Sequence, residues 1–421
     1  MHTTRRGLMR LGALSALGWA TRPRTALGAV SVAAHPQGAH GDVLVSIFLR
    51  GGADGLNVVV PHGDDDYYRN RPTLGVARPD DRRAGDAARA VDLDGFFGLN
   101  PALRPLLPLY QAGQMAIVHA CGSGDQTRSH FEAMATVERG AFRQSGPASG
   151  WLARHLQSAP WENSSPLRAI ALGAIVPETL RGASNTTALE TVADLKLQAP
   201  AGARGTLLHQ SLGDLYGTGS PDLLKEAGRE ALAVLRKLQG LDPDKDPPAN
   251  GATYPKDDLG DGLRQVSALI KRGVGLEAAC LDHGSYDTHV AQGALLTGRL
   301  HSLGLSLAAF AADLGPARWA KTTVVVLSEF GRRAEENSGA GTDHGRAGAM
   351  FVLGGQGIAG GRVHGVWPGL APAQLEGPGD LRVTTDYRDV LAEVLASRLG
   401  NPRVDAIFPG LAHKSPGVVR V

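Results

Sequence analysis

The feature that most constrains the fold is a series of short, almost wholly apolar runs separated by amphipathic segments. The run from Asp42 to Leu49 (DVLVSIFL) is typical of a strand buried on both faces of a sheet. Strands that alternate with helices indicate a parallel sheet covered on both sides. The pattern therefore predicts an α/β fold, a three-layer αβα sandwich with a mostly parallel central sheet. Further strands are predicted at 115–119, 168–172, 276–281, 322–327, 349–353 and 381–384, and helices at 101–112, 130–138, 221–238, 263–271, 291–313 and 386–397.

The chain divides into a leader and one large domain. Residues 1–33 combine Arg5 and Arg6 with an apolar run of about ten residues, well short of the ~20 that span a membrane as a helix. This pattern favours a twin-arginine export signal over a cytosolic N-terminus with a chance arginine pair. Residues 40–421 form the domain, and 145–250, which lacks a strong period-two pattern, is interpreted as an insertion or cap. We expect a periplasmic or extracellular protein, exported by the twin-arginine machinery, with no stable membrane span.

Composition excludes several classes of function. Lys plus Arg total 43 and Asp plus Glu total 41, so the formal net charge is only +2 and no basic stripe indicates a nucleic-acid partner. Cys121 and Cys280 are the only cysteines of the chain, which excludes a disulfide framework and makes a zinc–thiolate site improbable. The sequence also lacks a P-loop, an H-E-x-x-H motif and the G-x-S-x-G elbow of metal-free serine hydrolases.

Acidic and histidine side chains flank four of the predicted strands. Because ligands of such sheets bind beyond the carboxyl ends of the strands, we expect these side chains to lie together at one edge. Carboxylates and imidazoles in combination favour Zn²⁺ or Mn²⁺ over Mg²⁺ or Ca²⁺. One or two such ions would polarise an ester oxygen. The candidate metal ligands are Asp54, Asp282, Asp287, His289, Glu329, Asp343 and His344.

The segment Thr127-Arg128-Ser129 supplies candidate catalytic residues. Ser129 precedes a predicted helix, and the backbone N–H groups and dipole of a helix N-terminus favour both an alkoxide and a bound anion. Ser129 is therefore the candidate nucleophile. Arg128 is a candidate for binding an anionic substrate, as arginine does in a bidentate manner.

Most of these residues also have a purely structural interpretation. Ser129 is suited to be an N-cap, and Asp54 in a glycine-rich turn is suited to form that turn. Glu329 equally fits one half of a surface ion pair. His119 and His130 are interpreted as structural hydrogen-bonding residues, outside the candidate site. A shared position beside successive strands nevertheless favours a functional site over this set of separate roles.

Seven motifs together resemble one known family. They are FLRGGADGLN at 48–57, TRSHF at 127–131, YDTH at 286–289, LSEFGR at 327–332, TDHG at 342–345, FVLGG at 351–355 and WPGL at 367–370. In this combination the chain resembles a bacterial family of twin-arginine-exported proteins catalogued as a domain of unknown function. That family belongs to the alkaline phosphatase-like, or sulfatase-like, superfamily. The resemblance spans nearly the whole mature chain and implies a metal-dependent hydrolase of small anionic phosphate or sulfate esters.

The resemblance also implies roles for matching positions. Asp54 would be the acid after the first strand and Ser129 the nucleophile, with Thr127 as a rival, and both would ligate one metal. Glu329 would occupy the place of the acid in an Asp-His pair at that metal. A second metal would take an acid and two histidines, for which the matching residues are Asp287 (or Asp282), His289 and His344.

One position departs from the pattern of the superfamily. The histidine of the Asp-His pair is Phe330 in this chain, and a phenyl ring cannot ligate a metal. Asp343 or His283 would have to replace it, or the site holds a single ion or none. Two functions are therefore compatible with the sequence. The first is a metal-dependent ester hydrolase, and the second is a catalytically degenerate extracytoplasmic protein that binds an unknown ligand.

Overall fold

A computed structural model describes residues 42–142, 146–195, 223–238 and 247–420, together with Ser211, Asp214 and Tyr216. The predicted signal segment, residues 1–33, lies outside this part of the chain and remains a prediction.

Strands and helices alternate along the described chain. The strands are β1 (Val43–Leu49), β2 (Val59–Val60), β3 (Val91–Asp92), β4 (Gly98–Leu99), β5 (Met115–Gly122), β6 (Ala169–Leu172), β7 (Thr186–Leu189), β8 (Ala278–His283), β9 (Thr322–Ser328), β10 (Gly348–Gly354), β11 (Val363–His364) and β12 (Thr385–Asp386). The α-helices are α1 (Gly55–Val58), α2 (Asp65–Asn70), α3 (Leu107–Gln111), α4 (His130–Arg139), α5 (Trp151–Ser158), α6 (Leu223–Lys237), α7 (Asp258–Arg272), α8 (Gln292–Trp319), α9 (Tyr387–Glu393) and α10 (Val404–Ile407). Short 3-10 helices cover Pro101–Leu106, Glu178–Leu180, Val192–Leu195 and Pro372–Gln374, and a π-helical turn covers Val394–Arg398.

The central sheet has the strand order β11-β5-β10-β9-β1-β8-β6-β7, and β12 also pairs with β5. Strands β7, β6, β8, β1 and β9 are parallel to one another. Strand β10 runs antiparallel to both of its neighbours, β9 and β5, so β5 has the direction of the main set. The prediction of an α/β fold with a mostly parallel central sheet is confirmed.

The side chains of β1 alternate between two cores. Val45 and Ile47 face one core, which includes α7, α8 and the 3-10 helix at 101–106. Leu44 and Phe48 face the other, which includes α5 and α9. Both faces of the sheet are therefore covered by helices, as a near-continuous apolar strand requires, and the sandwich has the three layers predicted.

Helix α8 is long and apolar enough to span a membrane by length and composition, with 28 residues. Half of its most apolar window is buried. Leu300, Leu303 and Phe310 of this helix are fully buried in the core, so packing against the sheet accounts for its apolar composition. Its regular part ends near the predicted residue 313, because Gly315 has a φ of 65° and is followed by Pro316, which has no N–H to donate.

The region 145–250 is not an insertion as a whole. Strands β6 and β7 lie within it and extend the central sheet beyond β8. Trp151 and Leu152 of α5, which also belongs to this region, are completely or almost completely buried against the sheet. The region lacks a period-two pattern because its strands are only four residues long, and the Ala169–Leu172 strand is apolar on both faces.

Two strand predictions differ from the structure. The strand predicted at 276–281 lies at Ala278–His283, where its last two residues, Asp282 and His283, pair with Phe48 and Leu49 of β1. The strand predicted at 381–384 is absent, and only Thr385–Asp386 pairs with β5. Leu381 is fully buried in a small separate cluster. The apolar residue that suggested a strand therefore packs in a core without belonging to a strand.

One edge of the sheet collects most of the predicted site residues. Strands β1, β8, β9 and β5 end at this edge, and β10 begins there because it runs antiparallel. The segments that adjoin these strand ends are Gly51–Asp54, Gly284–His289, Glu329–Arg332, Thr127–His130 and Asp343–Ala347.

Candidate metal centre

Three imidazoles and one carboxylate converge at this edge. The Nε2 atoms of His289 and His344 are 2.9 Å apart. They lie 3.1 Å and 3.2 Å, respectively, from Oδ1 of Asp287. Nε2 of His130 lies 3.4 Å from Oδ2 of the same carboxylate, and His130, Asp287 and His344 offer ligand atoms within 4.8 Å of one another. A single cation placed among these atoms would contact residues from three separate segments of the chain.

Each of the three imidazoles is fixed through its other nitrogen. The Nδ1 contacts are His130 to Oε1 of Glu329 at 2.8 Å, His289 to Oδ1 of Asp343 at 3.2 Å and His344 to the carbonyl of Arg128 at 2.9 Å. Carboxylate and carbonyl oxygens accept hydrogen bonds, so the network assigns the ring proton to Nδ1 and leaves a lone pair on Nε2. Metal-binding histidines typically donate their second N–H in this way, which fixes the tautomer and the ring orientation.

The converging atoms are mainly acceptors. Arg332 donates to Oδ1 of Asp287 at 2.6 Å, but the buried Nε2 of His130 has no hydrogen-bond partner. A buried polar atom without a partner is costly, and a cation would satisfy it together with the other lone pairs. Imidazole nitrogens and a carboxylate oxygen are ligands that Zn²⁺ accepts readily, and the group whose ligand atoms all lie within 4.8 Å of one another is His130, Asp287 and His344, with His289 beside it. The residues present therefore fit a divalent transition metal.

The charge state of the carboxylates suits a cation. Burial opposes the charged form of Asp287, but its hydrogen bonds with Arg332 and with His344, when that ring is protonated, lower the pKa of Asp287 to about 2. Burial would likewise raise the pKa of Glu329, yet the hydrogen bond from His130 and those from backbone N–H groups lower it. The hydrogen bond to Glu329 raises the pKa of His130, whereas burial lowers that of His344. Both carboxylates are therefore ionised at neutral pH.

Phe330 packs against the imidazoles instead of ligating beside them. Its ring centroid is 4.9 Å from that of His130 and 4.8 Å from that of His344, and the ring is buried. A Cβ on Gly52, whose φ is +67°, would lie 2.4 Å from this ring, so the turn after β1 requires glycine here. Phe330 thus forms an apolar wall beside the imidazoles and cannot itself ligate a metal.

Two of the predicted metal ligands, Glu329 and Asp343, contact the Nδ1 atoms of imidazoles and not the region where the Nε2 atoms converge. Glu329 accepts from His130 and also, at 2.8 Å, from the backbone N–H of Gly51. Asp343 accepts from His289 and, at 3.1 Å, from the amide of Asn337, and its side chain is partly exposed. Both residues therefore orient imidazoles of the candidate centre.

Asp282 and His283 are placed away from the cluster. Asp282 is more than half exposed and pairs with Nη2 of Arg50 at 2.9 Å. His283 is buried, and the hydroxyl of Tyr286 lies 2.9 Å from its Nδ1. The structure therefore does not use His283 to replace the histidine missing at Phe330.

Asp54 lies beneath the cluster in a fully buried ion pair. Both of its carboxylate oxygens contact Arg71, and Gln292 donates to one of them at 2.5 Å. The glycine-rich turn after β1 therefore delivers Asp54 to a guanidinium, although the sequence pattern assigns it to a metal.

The candidate catalytic segment reaches the centre through its backbone. Ser129 is the N-cap residue of α4, yet its side chain makes no capping hydrogen bond. It lies between Arg128, whose carbonyl holds His344, and His130. The Arg128 guanidinium donates to Asp380, so it is already paired, and Thr127 is exposed. Because α4 begins at His130, its N-terminus, where first-turn N–H groups lack partners within the helix, lies at the centre.

Two residues of the centre are missing from the sequence-based prediction. His130 is interpreted from sequence as structural, but it begins α4 and its Nε2 faces Asp287. Arg332 donates to Asp287 and to the carbonyls of Gly51 and Thr342 from a buried position. A signal for His130 exists in the TRSHF motif, because it directly follows the candidate serine and therefore starts at the same sheet edge.

Comparisons with known proteins place the chain in a family. Among solved structures it is similar to a magnesium-bound mutant of TAB5 alkaline phosphatase (9% identity, 74% of this chain and 90% of that chain, TM-score 0.30). It is also similar to a 2-O GAG sulfatase (10%, 75% and 65%, 0.28) and to a phosphonate monoester hydrolase of Agrobacterium radiobacter (12%, 89% and 78%, 0.28). No curated protein matches the chain. A family model described as "Protein of unknown function (DUF1501)" matches residues 42–400, which confirms the expected domain-of-unknown-function family. The chain belongs to the DUF1501 family.

Proposed function

We propose that this chain is an exported, metal-dependent hydrolase of phosphate or sulfate esters. One observation carries the proposal: imidazole nitrogens and the carboxylate of Asp287 converge at the sheet edge where α4 begins, and Ser129 is the N-cap residue of that helix. The resemblance of the sequence motifs to the alkaline phosphatase-like superfamily supports the same reaction class.

His130, His289, His344 and Asp287 would hold at least one divalent ion. Imidazole-rich sites favour Zn²⁺, and a site with a carboxylate also accepts Mn²⁺, whereas Mg²⁺ and Ca²⁺ prefer oxygen ligands alone. The bound ion would act as a Lewis acid on an oxygen of the ester.

The chain itself would supply the nucleophile and the anion-binding groups. The hydroxyl of Ser129 makes no capping hydrogen bond. Its oxygen would attack the phosphorus or sulfur atom as the bond to the leaving oxygen breaks, and the serine proton would pass, directly or through water, to that oxygen, which leaves as the alcohol. The first-turn N–H groups of α4 would bind the anionic oxygens of the substrate. Arg332 would keep Asp287 ionised and in place through its buried guanidinium. Water would then hydrolyse the phosphate or sulfate ester of Ser129, which releases the inorganic anion and restores the serine hydroxyl.

A second candidate function is a metal-binding protein without hydrolase activity. Two observations favour it. Phe330 stands where the superfamily that the motifs resemble has a metal-binding histidine, and the guanidinium of Arg128 is bound to Asp380 instead of being free for a substrate anion.

One experiment separates the two functions. The mature chain is stripped with chelator, reloaded in turn with Zn²⁺, Mn²⁺, Mg²⁺ or Ca²⁺, and assayed with aryl phosphate and aryl sulfate. We expect hydrolysis with Zn²⁺ or Mn²⁺ that is lost in Ser129→Ala. Tight metal binding without turnover of either ester would favour the second function, and failure to bind any metal would reject both.

Export is proposed from the N-terminal sequence. Residues 1–33 would direct the folded protein through the twin-arginine machinery to the periplasm or beyond. Replacing Arg5 and Arg6 with lysine should retain the full chain in the cytoplasm, as measured by cell fractionation. Unchanged export would contradict this proposal.

A further inference from the structure

We infer that the centre holds one divalent ion and not two, because the guanidinium of Arg71 already serves as the second cation, beside Asp54. The inference rests on the metal centre proposed above and fixes its stoichiometry, which the sequence leaves open.

The carboxylate of Asp54 already accepts three hydrogen bonds, two of them from a guanidinium. Nη1 of Arg71 lies 2.5 Å from Oδ2, and Nη2 lies 2.9 Å from Oδ1, which is a bidentate pair. Gln292 donates to Oδ2 and is the third donor to this carboxylate. Both charged side chains are completely buried. A metal ion at Asp54 would therefore have to displace a guanidinium that already neutralises the carboxylate.

Arg71 is held so that it cannot withdraw easily. Besides the two bonds to Asp54, its Nε donates to the carbonyl of Ala334 at 2.9 Å, and Nη2 donates to the carbonyl of Arg333 at 2.9 Å. Nη1 also donates to Oδ1 of Asn57 at 2.6 Å. All five N–H donors of the guanidinium are thus used. Removing it from Asp54 would leave several buried acceptors without partners, which is unfavourable.

The other acidic residues at this edge do not offer a second ligand set. Glu329 accepts from an imidazole and a backbone N–H, and Asp343 accepts from an imidazole and an asparagine amide. Asp282 pairs with Arg50. Within the described chain, Asp287 is the one acid of this edge whose oxygens lie beside imidazole Nε2 atoms. The described residues of this edge therefore do not supply a separate set of ligands for a second ion.

The Asp54–Arg71 pair instead supports the loops of the single centre. Gln292, which donates to Asp54, accepts from the hydroxyls of Thr288 at 2.9 Å and Thr342 at 2.6 Å. These threonines directly precede His289 and Asp343 in the sequence. The linked side chains of Asp54, Gln292 and the two threonines are almost completely buried. The ion pair thus acts on the metal ligands through the backbone.

Metal stoichiometry tests the inference. The mature chain is stripped, incubated with excess Zn²⁺ and desalted, and its zinc is measured by mass spectrometry. We expect one ion per chain and, after Mn²⁺ loading, the electron paramagnetic resonance spectrum of an isolated ion. Two ions per chain, or a spin-coupled Mn²⁺ pair, would overturn the inference while leaving the proposed function intact. Absence of any bound metal would contradict the proposed function itself.

Two variants assign the ligand. Asp54→Asn should still bind one ion per chain, whereas Asp287→Asn should lose it or bind at least 100-fold more weakly. Circular dichroism checks that both variants are folded. A folded Asp54→Asn chain without metal would place Asp54 among the ligands and overturn the inference. If Asp54→Asn does not fold, the stoichiometry of the unmodified chain decides.

Discussion

The Nε2 atoms of His289 and His344 face each other at 2.9 Å, although the Nδ1 of each ring already contacts an acceptor. Two lone pairs at this distance repel unless a proton or a cation lies between them. Burial lowers the pKa of His344, which disfavours the proton. The close approach of these two rings is therefore best satisfied by a metal ion between them.

Removing one of these rings should abolish the metal centre. In His344→Ala we expect Zn²⁺ affinity to fall by more than about 100-fold, because loss of an outer partner alone costs 10–100-fold. The unmodified chain should be stabilised by about 2.7 kcal/mol when Zn²⁺ is at 100 times its dissociation constant, and the variant should not. Thermal unfolding with and without Zn²⁺ measures both. His301→Ala, at an exposed position on α8, is the control and should behave like the unmodified chain.

His130 should behave as a ligand and not as a structural residue. In His130→Ala we expect metal affinity to fall by more than about 100-fold, while stability in chelator changes by less than about 1 kcal/mol, because the ring is partly exposed. Competition with a chromophoric chelator measures the affinity. Unchanged affinity would return His130 to the structural role that the sequence suggests.

Glu329 should orient a ligand without binding the metal. Glu329→Gln keeps the shape of the side chain but removes the charge that receives the N–H of His130. We expect metal affinity to fall by roughly 10–100-fold with one ion still bound at saturation. Glu335→Gln, at an exposed position on the same segment, is the matched control. Complete loss of binding would make Glu329 a direct ligand.

Ser129 and Thr127 can be told apart as nucleophiles. Ser129→Ala should lose ester hydrolysis by a factor of at least about 10³ while retaining its metal, since the serine is not among the proposed ligands. Thr127→Ala should keep both its hydrolase activity and its metal, because this residue is exposed and lies before the N-cap of α4. Steady-state turnover and metal content measure the two effects. Full activity in Ser129→Ala together with its loss in Thr127→Ala would exchange the two roles.

The architecture could be read from the sequence because buried strands are apolar on both faces. The run at 43–49 and the run at 322–328 are neighbours in the centre of the sheet, where no side chain needs to be polar. The edge that carries the polar residues follows directly, since parallel strands end together. Short strands such as Thr186–Leu189 were not predicted, because four residues are too few to show an alternating pattern.

The division of labour within the site could not be read in the same way. Asp54 and Arg71 are 17 positions apart, and nothing in the intervening polar segment indicates that the arginine returns beneath the first strand. The role of His130 depends on how the preceding turn, with Arg128 at a φ of +53°, aims the first residue of α4. Both features are set by tertiary contacts and not by local spacing.

Buried histidines make stability depend on pH. Burial lowers the pKa of His119, His155 and His283 to about 4. In the unfolded chain these rings titrate near 6.5, so below that pH the unfolded state binds protons that the folded state does not. The free energy of unfolding should therefore fall as the pH drops from about 6.5 to 4, by up to about 3 kcal/mol for each ring. His130 has the opposite sign, because its pKa is raised, and offsets part of the loss.

Urea unfolding in the presence of chelator, at pH 7 and at pH 5, measures this dependence without a contribution from metal release. In His119→Gln, whose amide can still donate to the carbonyl of Val59 that the ring contacts at 2.9 Å, the loss between the two pH values should be smaller by about 1–2 kcal/mol. A difference between pH 7 and pH 5 that is identical in the variant and the unmodified chain would show that His119 is not held neutral by burial.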